Sequence, residues 1–451
     1  MELKGKKVLV FGAGKSGIGA ADLLNAVGAC PVLYDGNADL DKESVLHKIS
    51  GNYELPIYAG ELPKEVKESL DLVVLSPGVP TDLPVVEKMK AAGIRIWGEV
   101  ELAYENAKGD VLAITGTNGK TTTTSLLGEI MKCWKESVYV VGNIGNPYTQ
   151  AAPKMTEESV TVAEISSFQL ETIDQFHPKV SAILNITPDH LNRHHTMEEY
   201  IRVKELITKN QTSEDTCVLN YEDPILRAFG ENLQIRVLFF SSERKLKQGL
   251  YLEDETIWYA DESQKLAICK TQDLNIVGKH NYENVMAAAG MALSYGVPLE
   301  KIQEAVKAFQ AVEHRIEFVT EKNGVVYYND SKGTNPDAAI KGIQAMSRPT
   351  LLIGGGYDKG SDYTEWIQSF DGKVKYLVLL GVTKEKIAET ARKCGFDNII
   401  MTENLEEAVK VCAENAESGD AVLLSPACAS WDMFPSYEVR GRRFKELVRN
   451  L

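Results

Sequence analysis

Short apolar runs recur along the chain, each ending in a glycine- or proline-bearing polar turn. After each turn comes a stretch whose apolar residues fall on one helical face. Runs of this length read as buried strands and the stretches as amphipathic helices. Their alternation predicts an α/β fold with mostly parallel sheets. Residues 7–11 read as the first strand, followed by Gly12-Ala13-Gly14-Lys15-Ser16-Gly17 and a helix to about Val27. A second strand ends at Asp35, Leu72–Leu75 runs into Ser76-Pro77-Gly78, and this unit closes near residue 98. A second unit opens with the run Val111–Ile114. Its helix carries Leu126, Leu127, Ile130, Met131 and Trp134 on one face, and further strands follow at Val138–Val141, Thr161–Ile165 and Val180–Ile186. Residues 215–275 alternate short β-like runs with polar turns, and a helix from about Asn281 to Tyr295 aligns Val285, Ala288, Ala289 and Leu293. The stretch 311–319 reads as a hinge into a third unit with strands at 350–353, 375–380, 398–401 and 421–424. Three domains are therefore expected, at 1–98, 99–311 and 312–451.

Composition narrows the partners. At 451 residues, 44% hydrophobic and 25% charged, the chain is an ordinary globular sequence with ample core. A net charge of −15 argues against nucleic acid, which demands a basic face. Seven cysteines without a C-x-x-C pair suit a reducing, cytoplasmic setting. Lys4, Lys6 and Lys7 before Val8-Leu9-Val10-Phe11 faintly mimic a signal peptide, but the apolar run is too short and Lys15 breaks its continuation. No run approaches the roughly 20 apolar residues of a membrane span.

Candidate chemistry gathers at the turns. Ile114-Thr115-Gly116-Thr117-Asn118-Gly119-Lys120-Thr121-Thr122 joins a strand to a helix as a phosphate-binding loop does. Its glycines let backbone N–H groups face an anion, and the helix N-terminus adds a positive dipole end. Lys120 is expected to reach the outer phosphates and Thr121 to hold Mg²⁺. The usual first glycine position is Ile114, so the loop is a compact variant. Glu164, at the end of a strand, is where a Mg²⁺ ligand is needed, with an ordinary surface carboxylate the alternative. Asn185-Ile186-Thr187-Pro188-Asp189-His190-Leu191 ends the next strand and offers His190 as a ligand, with structural histidine the equal alternative. His194 and His195 nearby suggest zinc, but the acidic and hydroxyl partners suit Mg²⁺ better. Gly12-x-Gly14-x-x-Gly17, with Asp35 ending the next strand, matches the dinucleotide fingerprint; alone it reads as NAD, as a turn approaching a phosphate or other acidic group, or equally as a ligand-free turn. Lys204 reads only as a solvated helix lysine. Asn281 and Asn284 share a helix face, where they read an adenine or phosphate or merely cap the helix. Three clusters in the last unit, His314-Arg315, Tyr328 to Pro336 and Ser425 to Asp432, together with Gly354 to Lys359, supply cations and hydroxyls for an amino-acid carboxylate.

G-T-N-G-K-T, E-I-S-S-F-Q-L-E, N-I-T-P-D-H, H-N-Y-E-N, H-R-I-E, N-D-S-K-G-T-N and S-P-A-C-A-S-W-D occur in one order along essentially the whole chain. Together they resemble the Mur ligase superfamily, the ATP-dependent amide-forming enzymes of peptidoglycan precursor synthesis. The resemblance implies an N-terminal Rossmann-like domain, a central P-loop-type ATP-binding domain with a mostly parallel sheet, and a C-terminal Rossmann-like, amino-acid-binding domain. The first unit's G-A-G-K-S-G and S-P-G-V, with G-G-G-Y-D-K-G in the last, point to the D-glutamate-adding branch. The implied reaction phosphorylates the carboxylate of UDP-N-acetylmuramoyl-L-alanine, and the amine of D-glutamate then attacks through a tetrahedral intermediate. ATP is implied at Gly116, Thr117, Asn118, Gly119, Lys120, Thr121, Thr122, Thr123, Asn281, Asn284, Arg315 and Asp330. Catalysis is implied at Lys120, Glu164, His190 and Lys204, with Mg²⁺ on Thr121, Glu164, His190 and Lys204, the last as a carbamate. The UDP-substrate is implied at Gly14, Lys15, Ser16, Asp35, Gly36, Ser76, Pro77, Gly78 and Asn143, so UDP replaces NAD in the first domain. D-Glutamate is implied at Lys332, Thr334, Lys359, Ser430 and Tyr437. Asn192 stands where the family often has Asp, and Tyr437 where it often has Phe. A cytoplasmic monomer is expected. The rival expectations are another amino-acid-adding or folylpolyglutamate synthase-like ligase, an NAD(P)-dependent oxidoreductase, and a non-catalytic nucleotide switch.

Overall fold

The computed structural model describes the chain except Met1, Asn52, Gly145, Val277, Ala311 and Lys359, and the side chain of Asn192. Among the described residues the strands form three sheets. In the first, β1 (Lys7–Phe11), β2 (Cys30–Asp35), β3 (Ile57–Ala59), β4 (Leu72–Leu75) and β5 (Arg95–Gly98) lie parallel in the order 3-2-1-4-5. The central sheet holds β6 (Asp110–Thr115), β7 (Val138–Gly142), β8 (Val160–Glu164), β9 (Val180–Ile183), β10 (Thr216–Asn220), β11 (Arg236–Ser241), β12 (Gly249–Glu253), β13 (Thr256–Ala260) and β14 (Lys265–Lys270). Their order is 14-13-12-11-10-9-6-8-7, with only the β12–β13 and β13–β14 pairs antiparallel. The third sheet, β15 (Glu317–Lys322), β16 (Val325–Asn329), β17 (Thr350–Gly354), β18 (Val374–Leu379), β19 (Ile399–Met401) and β20 (Ala421–Leu424), runs 15-16-20-17-18-19. Its only antiparallel pair is β15–β16.

Strands buried on both faces explain the continuous apolar runs. In β17, Leu352 packs into a cluster with Trp366 and Leu379, while Leu351 and Ile353 face another with Val378 and Phe444. The helix Lys120–Lys132 buries Leu126, Leu127, Ile130 and Met131, as its spacing predicts. Trp134 lies beyond that helix and meets Tyr295 edge-on at 6.1 Å.

Contacts divide the chain into two compact units. One comprises residues 1–270 and 283–306, and so holds the first and central sheets; the other comprises 271–282 and 307–451. Within the first unit the two sheets are sewn together by charged groups. The helix Glu99–Tyr104 follows β5 without a loop. Fully buried Glu101 accepts the backbone N–H groups of Asp174, Gln175 and Phe176 at 2.8, 2.7 and 3.0 Å. Each donor stranded by its removal would cost about 1–3 kcal/mol. Gln169 Nε2 donates to Glu99 Oε1 at 2.8 Å, and Trp97 Nε1 to Asp174 Oδ2 at 3.3 Å.

Two expectations change. β9 stops at Ile183 rather than 186, because the next residues serve the loop after β6 instead of the ladder. Asn185 carbonyl accepts from Thr117 N–H at 2.9 Å, and Ile186 N–H donates to Asp223 Oδ2 at 2.8 Å. The 311–319 stretch is part strand: β15 begins at Glu317, after His314 and Ile316 adopt left-handed φ of 67° and 47°.

Candidate active site

The ends of β6, β8 and β9 form one rim, since Ile114 pairs Glu164 and Thr115 pairs Ile183 in parallel register. The carboxyl ends of parallel strands are where such sheets bind ligands. The loop leaving β6 is held from below by Asn185. Its side chain accepts Asn118 N–H at 2.8 Å and donates to Asn118 carbonyl at 3.1 Å. Thr117 Oγ1 donates to Thr187 carbonyl at 3.1 Å and lies 3.0 Å from Tyr200 Oη. Gly119, at φ 87°, caps the helix, and a Cβ there would sit 2.3 Å from Asn284 Oδ1. Only glycine keeps this cradle open. Lys120 Nζ folds back over it, donating to Gly116 and Thr117 carbonyls at 2.8 Å each. Thr121 is half-buried in the helix's first turn, where N–H groups lack acceptors within the helix. Thr122 and Thr123 are buried behind it, and Thr123 Oγ1 donates to Asn284 Oδ1 at 3.3 Å.

Glu164 is 2% exposed. Its Oε1 accepts Asn143 Nδ2 at 2.8 Å, whereas its buried Oε2 has no hydrogen-bond partner among the described residues. A desolvated carboxylate oxygen without a partner is costly unless a ligand meets it. Asn143, expected with the UDP-substrate residues, is thus brought to Glu164 on the central rim.

Lys204 overturns its sequence expectation. It is 1% exposed rather than solvated, and its Nζ donates to Gly116 carbonyl at 2.9 Å, 4.7 Å from the Tyr200 ring centre. The helix Met197–Glu205 turns Tyr200, Val203 and Lys204 inward and leaves Arg202 paired outside with Glu199 at 2.6 Å. Burial first, then the nearby Lys120 ammonium, pushes the Lys204 pKa well below the ordinary lysine value, with Asp189 opposing.

The three histidines part company. His190 is exposed at φ 54°, with Phe168 edge-on at 4.8 Å. His194 is buried, its Nε2 3.0 Å from Ser167 Oγ and its Nδ1 3.4 Å from Glu171 Oε1. His195 turns to Asp82, 3.2 Å away. Among the described residues the three do not bring their ring nitrogens together as zinc ligands would.

On the first sheet, the loops after β1, β2 and β4 gather Gly14, Lys15, Ser16, Asp35, Gly36, Ser76, Pro77 and Gly78 at adjacent strand ends. Gly17 lets the helix close on the loop, for a Cβ there would fall 1.8 Å from Gly12 carbonyl. Ser76 Oγ donates to that same carbonyl at 3.3 Å. Asp35 gives both oxygens to its surroundings, Oδ2 to Ala13 N–H and Oδ1 to Asn37 N–H, each at 2.9 Å. A dinucleotide site keeps this carboxylate for a ribose hydroxyl; here backbone amides use it.

In the second unit, Asp330 is fully buried. Its Oδ2 accepts Ser425 Oγ at 2.7 Å, and Arg315 Nη1 lies 3.8 Å from Oδ1. Burial raises the Asp330 pKa to about 6, opposed by Arg315. Lys332 Nζ lies 5.9 Å from the Tyr437 ring centre, Thr334 is half-buried, and Ser430 is buried with its Oγ lacking a hydrogen-bond partner among the described residues. Lys359 lies outside the described residues. Asn281 and Asn284 are both buried in the helix Lys279–Tyr295, within which the division between units falls.

Several supporting residues escaped the sequence reading. Arg440 spreads its guanidinium over Ser331 Oγ and carbonyl and the carbonyls of Cys428 and Ala429, at 2.8–3.4 Å. It thereby clamps the loop after β16 to the loop after β20. A buried arginine at a helix start carries no local sequence signal. Asp223 does carry one: it caps the helix Pro224–Asn232, as an acid before proline should. Lys204 was legible as well, four residues after Tyr200 on the apolar stripe.

Family models match almost the whole chain: a Mur ligase MurD-like N-terminal domain at 6–98, a Mur ligase middle domain at 114–292 and a Mur ligase glutamate ligase domain at 314–428. UDP-N-acetylmuramoylalanine–D-glutamate ligase of Lachnoclostridium phytofermentans is 59% identical, over 100% of this chain and 99% of that protein. The enzyme of that name from Clostridioides difficile is 49% identical over 100% of both. Among solved structures, UDP-N-acetylmuramate-alanine ligase MurC from Thermotoga maritima superposes with TM-score 0.61 at 20% identity, covering 99% of each chain. MurF ligase from Thermotoga maritima in complex with ADP gives 0.59 at 18%, covering 93% and 94%. These structures share the fold, and the sequence matches run through every domain that carries it. The chain belongs to the Mur ligase family.

Proposed function

We propose that the protein uses ATP to join D-glutamate to UDP-N-acetylmuramoyl-L-alanine, as a cytoplasmic step in peptidoglycan precursor synthesis. The observation that carries this reading is Glu164, buried with an unpartnered oxygen at the rim of the glycine cradle. Relatives bearing that activity in their name, at up to 59% identity along the whole chain, support the substrates.

Gly116 to Thr123 would cradle the phosphates of ATP, with Lys120 swinging from its own loop carbonyls to the outer phosphates. Asn281, Asn284, Arg315 and Asp330 would hold the rest of the nucleotide. The orphaned Glu164 oxygen, the hydroxyl of Thr121 and the open cradle at Gly119 fit Mg²⁺, a hard cation that takes few protein ligands beside phosphates. His190 and Lys204, the latter as a carbamate, would hold a second ion. Bound Mg²⁺ supplies charge neutralisation for phosphoryl transfer. Burial, which lowers the Lys204 pKa, favours the unprotonated amine that adds CO₂.

Gly14, Lys15, Ser16, Gly36, Ser76, Pro77 and Gly78 would bind the UDP portion, with Asp35 shaping their loop through the N–H groups of Ala13 and Asn37, and Asn143 would meet the distal end beside Glu164. The substrate carboxylate attacks the γ-phosphorus and ADP leaves. The amine of D-glutamate, held by Lys332, Thr334, Lys359, Ser430 and Tyr437, then adds to the acyl phosphate, and phosphate departs. Domains at 1–98, 99–311 and 312–451 would divide these tasks.

The test is phosphate release with a panel of amino acids. Release is expected only when UDP-N-acetylmuramoyl-L-alanine and D-glutamate are both present. Release with L-lysine, L-alanine or diaminopimelate but not D-glutamate would overturn the reading. For the carbamate, Lys204→Ala should lose activity and regain part of it with bicarbonate and a short carboxylic acid; no regain counts against it.

A further inference from the structure

Two loops that the proposed function gives to different ligands meet at Arg193, which Glu171 holds, and at the more exposed His195–Asp82 pair. Ser76-Pro77-Gly78-Val79-Pro80 leaves the first sheet toward the UDP-substrate site. Asp189 to His195 leaves the central sheet and carries His190. Within the latter, the single turn Leu191–His194 is bracketed by two left-handed non-glycine residues, His190 at φ 54° and His195 at φ 65°. Such residues persist only where surroundings over-determine them.

Arg193, inside that turn, supplies the determination. Its Nε donates to Glu171 Oε1 at 3.2 Å and its Nη2 to Glu171 Oε2 at 2.6 Å, with the two side chains 11% and 10% exposed. The same Nη2 donates to the Val79 carbonyl at 3.0 Å. Glu171 Oε2 also accepts Thr81 Oγ1 at 3.3 Å, and the guanidinium lies 5.1 Å from the centre of the Phe168 ring. Phe168 in turn meets the His190 ring. A continuous path thus runs from the backbone at Val79, through Arg193 and Phe168, to His190. A planar guanidinium can make the paired bonds to a carboxylate and still reach a carbonyl; a lysine ammonium is a point charge without that fork.

We infer that Arg193, fixed by Glu171, is a positioning residue that latches the UDP-substrate loop to the loop carrying His190, setting the substrate carboxylate against the γ-phosphate. Each ligand would still find its own site without the latch, but the reacting atoms would lose their alignment. Misplacement of about 1 Å costs on the order of 100-fold in rate. The inference rests on the proposed function for what the loops bind, but not for their mechanical coupling.

The experiment compares the parent chain with Arg193→Lys and Glu171→Gln in two readouts. In steady-state kinetics, kcat should fall about 10- to 100-fold while KM for ATP and for UDP-N-acetylmuramoyl-L-alanine each stay within about threefold. In amide hydrogen exchange, protection should drop in both 76–82 and 189–195 of each variant, with the core of β6 unchanged. Loss of protection in one loop only, or in neither, overturns the latch whatever the protein catalyses. A kcat within threefold of the parent, or a rise in either KM at constant kcat, overturns its role in alignment. Failure of the parent to release phosphate would instead sink the proposed function and leave the exchange result to decide the latch.

Discussion

Asp35 and Glu164 look alike in the sequence, each an acid at the end of a buried parallel strand near a glycine loop. In the fold they are opposites. Asp35 is half-buried and spends both oxygens on the N–H groups of Ala13 and Asn37. Glu164 is 2% exposed and keeps one oxygen without a hydrogen-bond partner among the described residues. One carboxylate holds a loop in shape; the other is held by Asn143 with an oxygen left over, as the proposed metal site requires. The difference teaches that the end of a strand locates a carboxylate, while its hydrogen bonds decide whether it is structural or available.

The sharpest way to break this contrast is to neutralise Glu164. Glu164→Gln keeps the acceptor for Asn143 and removes the charge. Activity should fall by about 100- to 1,000-fold or more, the scale of a lost electrostatic contact in a reacting site. Thermal stability should hold or rise, because an unpartnered buried charge is gone. A melting temperature that drops along with activity would make Glu164 structural after all.

Glu99 sharpens the contrast from another side. It too is buried, its Oε2 without a hydrogen-bond partner among the described residues, but it lies on the seam between the first and central sheets. Burial raises its pKa from the ordinary 4.5 to about 7, with the Gln169 hydrogen bond opposing. The folded form therefore holds its proton more tightly than the unfolded chain does. Its contribution to stability is full below pH 4.5 and is lost as pH rises through about 7. That displacement is worth about 3 kcal/mol at most. Urea unfolding at pH 5 and pH 9 should show the parent losing more stability than Glu99→Gln. Equal losses in both would remove Glu99 as the cause.

The smallest effect is expected at Asp35. Asp35→Asn turns one acceptor into a donor facing a backbone N–H, at a cost of about 1–3 kcal/mol. Stability should fall, with kcat reduced tenfold at most. An activity loss matching that of Glu164→Gln would erase the distinction between the two carboxylates.

Much of the fold is legible in the sequence, for physical reasons. Apolar runs such as Leu72–Leu75 and Ala421–Leu424 are buried on both faces, and the helix after Gly119 buries the face its spacing predicts. The end of β9 is not legible, because Asn185 and Ile186 leave the ladder for partners distant in sequence, Thr117 and Asp223. Residue type alone misjudges Lys204, although its place four residues after Tyr200 puts it on the buried stripe. Arg440 and Arg193 are invisible because their partners, the carbonyls of Cys428 and Ala429 and of Val79, are backbone atoms brought near by the fold.

The central claim is that the glycine cradle aims the γ-phosphate at a carboxylate and not at water. Labelling the terminal carboxylate of UDP-N-acetylmuramoyl-L-alanine with ¹⁸O tests this directly. With ATP and D-glutamate present, one labelled oxygen should appear in each phosphate released, carried over through the acyl phosphate. Released phosphate without the label, its new oxygen drawn from solvent, would contradict the account.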